Sequence, residues 1–433
     1  MNEEKRYQHM NRNIKLFPPY VALTWDVFFV WTISIMFFTT QKGLSYSQAV
    51  MLDSFLMLFA GIFALIVPKI FAKVPALRST QIGLIGYAGY VLLCIFGQSY
   101  FVFIVANIFL GFGYSMQAVK GNLVLTQSLS IVKRDKDYQR VYGNGMSIYY
   151  IAEAISSIVV TYIYSWNAYL AYWLSFALVV LTFLYSLLLK EPVKYQERNI
   201  EIEDQPVKKT QNADSYIKIL SSGFIIAMLA YMFFFRGALA PSQSAAKMYF
   251  QMLIEGGKLP MWAFGFIFAA IRLASALSSK YQFKYDLKFG VKSLLIFNTI
   301  LVLAYTVNGA LFLIAPYSVG TIITIIILTI LQCSLRQPNQ IFINKYIQVC
   351  APKKNHEKIY ALKLAMEYGS YALLSFMYAG ILSGFNDNYG LTLLTYVGIV
   401  GVPVLVTMIV FIRLLCKKYA ESYTIIRKEY TED

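Results

Sequence analysis

Ten ionisable side chains interrupt the long apolar stretches of this chain: Lys120, Arg236, Lys247, Arg272, Arg336 and Lys363, against Asp26, Asp53, Glu153 and Glu367. Each costs roughly 2.5 to 3.5 kcal/mol to place in hydrocarbon, so each must face a wet cavity or a partner. The chemistry open to such a set is binding and proton exchange rather than bond-making. No nucleophile triad, phosphate-cradling loop or metal-ligand spacing accompanies them. The chain therefore does not read as an enzyme, and no cofactor or metal is expected.

Asp26 lies about 14 Å into its apolar stretch and Glu153 a similar depth into another, at about 1.5 Å per residue, which puts both near the middle of a bilayer. These two are the candidates for proton coupling, sodium being the other ion such carboxylates could follow. Both histidines, His9 and His356, fall in polar segments, so a proton relay would rest on the carboxylates. Arg236 directly precedes Gly237 and stands five residues before Pro241, where a kink is expected to expose backbone polar groups. Arg272 is also at mid-depth, while Lys120 and Arg336 occupy matching depths in their stretches. Arginine's planar fork suits carboxylate or phosphate, so the cations point to an anionic or anion-headed solute.

Of 34 tyrosines and 32 phenylalanines, only Tyr149 and Tyr150, one turn before Glu153, are placed near the site; the rest read as lipid-facing or packing residues. The candidate binding set is thus Lys120, Arg236, Arg272, Arg336, Tyr149 and Tyr150. The competing reading is charge-balanced packing, with Arg236 paired to Asp26 and Lys120 near Glu153. Lys363 and Glu367, one turn apart, are expected to pair on their own helix. Asp53 and Lys247 are expected to snorkel toward the headgroups.

The elements that must position these residues follow from hydropathy. The chain is 58% hydrophobic and 14% charged, against about a quarter charged in soluble domains. A spanning helix needs about 20 apolar residues, which gives twelve spans: approximately 16–40, 47–67, 80–97, 100–129, 142–165, 167–189, 219–253, 261–279, 290–308, 316–343, 359–383 and 390–415. Threaded alternately, they put 30 of the 38 lysines and arginines on one side and two on the other, the positive-inside signature. Both termini are then cytoplasmic, in a plasma (inner) membrane. The net charge of +16 is spread through short loops, which fits an anionic inner leaflet as partner and excludes a nucleic-acid face.

Met1 to Lys15 is polar, so no cleavable signal is expected; nor is an external disulfide among Cys94, Cys333, Cys350 and Cys416. The stretch from Glu191 to Lys218, with six acids and five bases, reads as a solvated linker. The organisation is then a six-helix half at 1–190, a linker at 191–218, a second six-helix half at 219–416 and a tail at 417–433. The halves carry a repeat. Gln41-Lys42-Gly43-Leu44 and Glu255-Gly256-Gly257-Lys258-Leu259 place glycines 214 residues apart, and Lys120-Gly121-Asn122 is echoed by Arg336-Gln337-Pro338-Asn339, 216 residues on.

With this topology, and with Gly43-Leu44-Ser45, Gly111-Phe112-Gly113, Leu189-Lys190-Glu191-Pro192 and Ile343-Asn344-Lys345-Tyr346, the chain resembles bacterial members of the major facilitator superfamily over nearly its whole length. The resemblance implies an all-α fold of two pseudo-symmetric halves, with spans 1, 4, 7 and 10 lining a central cavity, and alternating-access transport of a small molecule by a monomer. Two departures stand out. Pro68 to Arg78 replaces the family's acidic loop motif with a lysine about where the aspartate belongs, and span 5 lacks the glycine-proline kink of proton-driven drug antiporters. An exporter of drugs or amphipathic solutes is the alternative within the family; a lipid-linked precursor flippase is the alternative outside it.

Overall fold

The computed structural model describes residues 3–134, 137–192, 215–289, 292–335, 339, 343, 347, 355–386 and 388–429. The apolar runs form helices, the first of which begins within the polar N-terminal segment: α1 (Glu3–Thr24), α2 (Val30–Thr40), α3 (Tyr46–Ile70), α4 (Ala76–Phe96), α5 (Tyr100–Met116), α6 (Asn122–Ile131), α7 (Tyr138–Trp166) and α8 (Ala168–Ser186). A short α9 (Tyr216–Leu220) is followed by α10 (Gly223–Glu255), α11 (Met261–Phe289), α12 (Lys292–Ile314), α13 (Val319–Ser334), α14 (His356–Gly384) and α15 (Tyr389–Glu429). Among the described residues eight helices are long and apolar enough to cross a membrane. The shorter apolar helices α2 and α13, the Gly223–Ala238 part of α10, and the charge-bearing α14 complete the twelve spans of an all-α polytopic membrane protein.

The chain forms two compact units. One holds Met1–Ser45, Phe55–Val207 and Leu259–Ala276; the other holds Tyr46–Ser54, Lys208–Lys258 and Leu277–Asp433. The boundaries pass through α3 and α11. Most of the expected linker, 193–214, lies outside the described residues. The repeat reappears in the backbone: Gly43 and Gly257 both take positive φ, 67° and 65°, where a side chain would be strained.

Two expectations for the spans are corrected. The first span is not one helix, because α1 ends at Thr24 and α2 begins at Val30. Thr24 turns its hydroxyl back onto the Tyr20 carbonyl at 3.0 Å, and the Asp26 carboxylate takes the Val27 N–H at 2.7 Å, offering the backbone alternatives to the helical ladder. Phe29 then adopts φ 67°. Conversely, the helix is not interrupted at Gly237–Pro241, and α10 runs on to Glu255.

In the first unit the loop ends are tied together by side chains. Asn13 donates to the Lys190 carbonyl at 2.7 Å and accepts the Lys190 N–H at 2.9 Å, while Glu191 caps the start of α4 by accepting the Leu77 N–H at 3.0 Å. Met10, Ile14 and Phe17 of α1 share a buried cluster with Leu77, Leu129 and Leu189.

Candidate functional site

The break between α1 and α2 is closed by hydroxyls. The Tyr87 hydroxyl donates to the Thr24 carbonyl at 3.1 Å, and the Ser175 hydroxyl to the Phe28 carbonyl at 2.5 Å. These bonds satisfy acceptors that an unbroken helix would have paired internally. At the centre of the break stands Asp26. Tyr114, on α5, donates its hydroxyl to Oδ1, and Tyr149, on α7, donates to Oδ2 at 3.4 Å. Tyr149 is packed edge-on by Trp25 at 6.3 Å and Phe28 at 5.8 Å, with Tyr150 at 5.0 Å.

One turn further along α7, Glu153 Oε1 pairs with Arg272 Nη2 at 2.7 Å, and both side chains are buried, with 3% and 5% exposure. The Arg272 guanidinium lies over the Trp31 ring of α2 at 3.9 Å, and Trp31 meets Phe268 at 5.9 Å. The helix packing sets this register. A Cβ at Gly265 would come within 2.6 Å of the Ser157 carbonyl and the Thr161 hydroxyl, so α11 reaches α7 closely only because that residue has no side chain. From this contact Arg272 lies two turns along α11 and Glu153 one turn back along α7, which brings them together. Thr32 and Ser157 hydroxyls, 2.9 Å apart, tie α2 to the same face.

The structure therefore gathers Asp26, Tyr149, Tyr150, Glu153 and Arg272 into one cluster of the first unit. Of the pairings weighed from sequence, Lys120 is not the partner of the Glu153 carboxylate. Its ammonium donates instead to the Phe71 carbonyl at 2.8 Å, just past the end of α3, from a π-helical turn at Gln117–Gly121. Arg236 is buried in α10 of the second unit, 5.1 Å from the ring of Tyr371. Arg336 lies outside the described residues. Lys363 and Glu367 pair at 3.1 Å, as their spacing implied. Lys247 is buried rather than snorkelling.

Sequence reasoning missed Tyr114, Trp25 and Trp31. Tyr114 had one available signal, its place one residue after the Gly111-Phe112-Gly113 run on the span that carries Lys120. Nothing local marks the tryptophans. Chemically, the cluster offers a carboxylate held by two phenols and, beside it, a buried ion pair. The Arg272 Nε has no hydrogen-bond acceptor among the described residues.

Comparison with known proteins agrees with this architecture. Residues 19–373 match the sequence profile of the Major Facilitator Superfamily. Among solved structures, the chain is similar to two crystal structures of the nucleoside transporter NupG, one of a point mutant. The TM-scores are 0.69 and 0.67 at 13% identity, covering 95% of this chain and 99% of each of those. At that identity the likeness establishes the fold. No curated protein matches the chain significantly. With a family match over most of its length, twelve spans and a superfamily fold, this chain belongs to the Major Facilitator Superfamily and is a multi-pass membrane transporter, not an enzyme.

Proposed function

We propose that the protein moves a small anionic or anion-headed solute by alternating access, driven by protons, with both termini in the cytoplasm. The observation that carries the substrate class is the Arg272 guanidinium. It is buried, flattened on Trp31 and engaged by Glu153 through Nη2, while Nε has no acceptor among the described residues. A carboxylate or phosphate on the solute competes with Glu153 for this fork, and the competition is strong because neither charge can escape to water. A proton taken by Glu153 frees the fork for the solute, so solute and proton bind in concert. Asp26, at a helix break typical of coupling sites in transporters, supplies the second proton position. Tyr114 and Tyr149 hold its carboxylate in place.

A neutral ring-bearing solute is the second reading, favoured by the aromatic walls of Trp25, Phe28 and Tyr149 and by the nucleoside named for NupG. Proteoliposomes with an imposed pH gradient separate the two when anionic, nucleoside and cationic solutes are compared. The anionic reading expects gradient-driven flux of an anionic solute that Asp26→Asn abolishes. Nucleoside flux without anion flux overturns the substrate class. Equal flux in Asp26→Asn overturns the coupling role. Arg236→Ala and Arg336→Ala, read as apparent affinity, test whether those cations also contact the solute.

A further inference from the structure

The second unit repeats the carboxylate of the first unit's ion pair. Glu367 on α14 is 214 residues after Glu153 on α7, the offset that separates the two positive-φ glycines, Gly43 and Gly257. The local geometry repeats with it. Ser156 donates its hydroxyl to the Glu153 carbonyl at 2.9 Å, and Ser370, again 214 residues on, donates to the Glu367 carbonyl at 3.0 Å. Both carboxylates are buried and both meet a cation. The source of the cation differs. Arg272 reaches Glu153 from another helix, but its place in the repeat falls on Leu58. Glu367 is met instead by Lys363 at 3.1 Å, one turn earlier on α14 and at the repeat position of Tyr149.

Helix stability does not account for this pair. A lysine one turn before a glutamate is the weaker of the two orders along a helix, and a buried pair is often no more stabilising than apolar residues of the same size. Its surroundings are basic. α10 packs along α14 where Gly237 has no side chain, since a Cβ there would overlap Leu374. α10 stays helical here although Pro241 cannot donate to the Gly237 carbonyl: Tyr396 donates to that oxygen at 2.6 Å, and Tyr305 to the Ala238 carbonyl. Arg236 thereby meets Tyr371, one turn past Glu367, with its guanidinium 5.1 Å from the ring. α15, the other helix packed closely on α14, brings the Tyr396 phenol and has Arg413 as its one charge between Tyr389 and Cys416. Among the described residues the second unit buries Arg236, Lys247 and Lys363 against the single acid Glu367, whereas the first buries two cations, Lys120 and Arg272, and two acids, Glu153 and Glu191.

We propose that Glu367 is a further proton-taking carboxylate of the transporter, and that Lys363 is the cation it surrenders to an anionic solute; this rests on the anionic reading of the solute. With Glu367 ionised, Lys363 is answered on its own helix and the pair has no net charge. When an anion takes the ammonium, the buried carboxylate loses its counter-ion and accepts a proton from the aqueous side. The ammonium stays protonated throughout. A neutral pair thus becomes an equally neutral set of ammonium, anion and protonated Glu367, and no buried net charge is created in either form. Proton and anion therefore help each other bind, and by reciprocity to the same extent. Because Lys363 and Glu367 share one turn of one helix, the exchange does not require two helices to part, as release of Arg272 from Glu153 would by distance alone.

The test uses the full chain in phosphatidylglycerol–phosphatidylethanolamine vesicles at neutral pH, with methanesulfonate and sulfate as the anions in a constant chloride background. Neither carries a proton at that pH or absorbs where a protonated carboxyl does. Infrared difference spectra on adding either anion should show a protonated-carboxyl band that mannitol does not produce. Part of this band should vanish in Glu367→Gln, and in Lys363→Met that part should be present before any anion is added. Titrated against pH, the anion should tighten proton binding at Glu367 by about fivefold or more. A Glu153 component that responds while no anion changes the Glu367 component overturns this inference and leaves the anionic reading standing. The absence of any anion-dependent band overturns both. Calorimetry in a Glu153→Gln background gives a second readout. There Glu367→Gln, which imitates the protonated side chain, should bind methanesulfonate at least as tightly and without dependence on pH. Weaker binding, as loss of a purely structural pair would give, overturns the proposal.

Discussion

Glu153 and Arg272 are 119 residues apart in sequence and 2.7 Å apart in the fold, with water excluded from both. Removing one partner strands the other as a buried charge. Arg272→Ala should therefore lower stability by about 3–5 kcal/mol, and Glu153→Gln in the same background should recover much of it. Thermal unfolding in a mild detergent measures both, and simple additivity of the two changes would show that the pair does not act as a unit. Tyr114 makes a different kind of contact. It donates to the carboxylate of Asp26, and hydrogen bonds to charged groups contribute about 1.5–3 kcal/mol. Tyr114→Phe should leave folding nearly intact while reducing pH-driven flux by about tenfold or more. Flux at the wild-type level would remove Tyr114 from the coupling site.

Among the elements, α4 shows how a helix end is anchored by a residue far along the chain. Its first turn lies against Glu191, the second residue past the buried Leu189. Burial pushes the Glu191 carboxyl above its ordinary value of 4.5, and the Ala76–Arg78 N–H groups and the Arg78 charge only partly oppose this. The folded state thus holds this proton more tightly than the unfolded chain. The stabilisation is complete below the ordinary value and is lost as pH rises through the raised one. Glu191→Gln should flatten that decline while keeping an acceptor for the Leu77 N–H. A variant that reproduces the wild-type stability profile from pH 4 to 7 would exclude the carboxyl as its source. The α7–α11 contact makes a second case. Gly265→Val would push α11 off Ser157 and Thr161, and should weaken the Glu153–Arg272 pair without touching either residue. It should then lower stability toward the Arg272→Ala level, read in the same unfolding assay.

At the scale of the whole molecule, the charge distribution predicts sidedness: with the twelve spans threaded alternately, 30 of 38 basic residues fall on one side, which the positive-inside rule makes the cytoplasmic one. In a Cys350→Ser, Cys416→Ser background, where the remaining Cys94 and Cys333 are buried, Ser99→Cys and Ser165→Cys should react with an impermeant thiol reagent added outside intact cells. Cysteines in the 69–78 loop should not. The opposite pattern would invert the topology. Much of this scale was legible in the sequence, because hydropathy, loop charge and the glycine turns at 43 and 257 are local properties that any window of residues reports. The candidate site was legible in its members and not in its connections. Asp26, Glu153, Arg272, Tyr149 and Tyr150 are exceptional as residue types at mid-span, but which cation meets which acid depends on helix faces that only packing brings together.

The sequence by itself determined the class, the number of spans and the presence of costly charges within them, since the bilayer acts on each segment separately. Tertiary structure alone decided that Arg272 and not Lys120 answers Glu153, that the first span breaks at Asp26, and that α10 survives Pro241. In each case the deciding groups come from other helices. The Tyr87 and Ser175 hydroxyls make the break at Asp26 tolerable, and those of Tyr305 and Tyr396 make the break at Pro241 unnecessary. A backbone acceptor in lipid must be satisfied by something, and the sequence around it does not say by what.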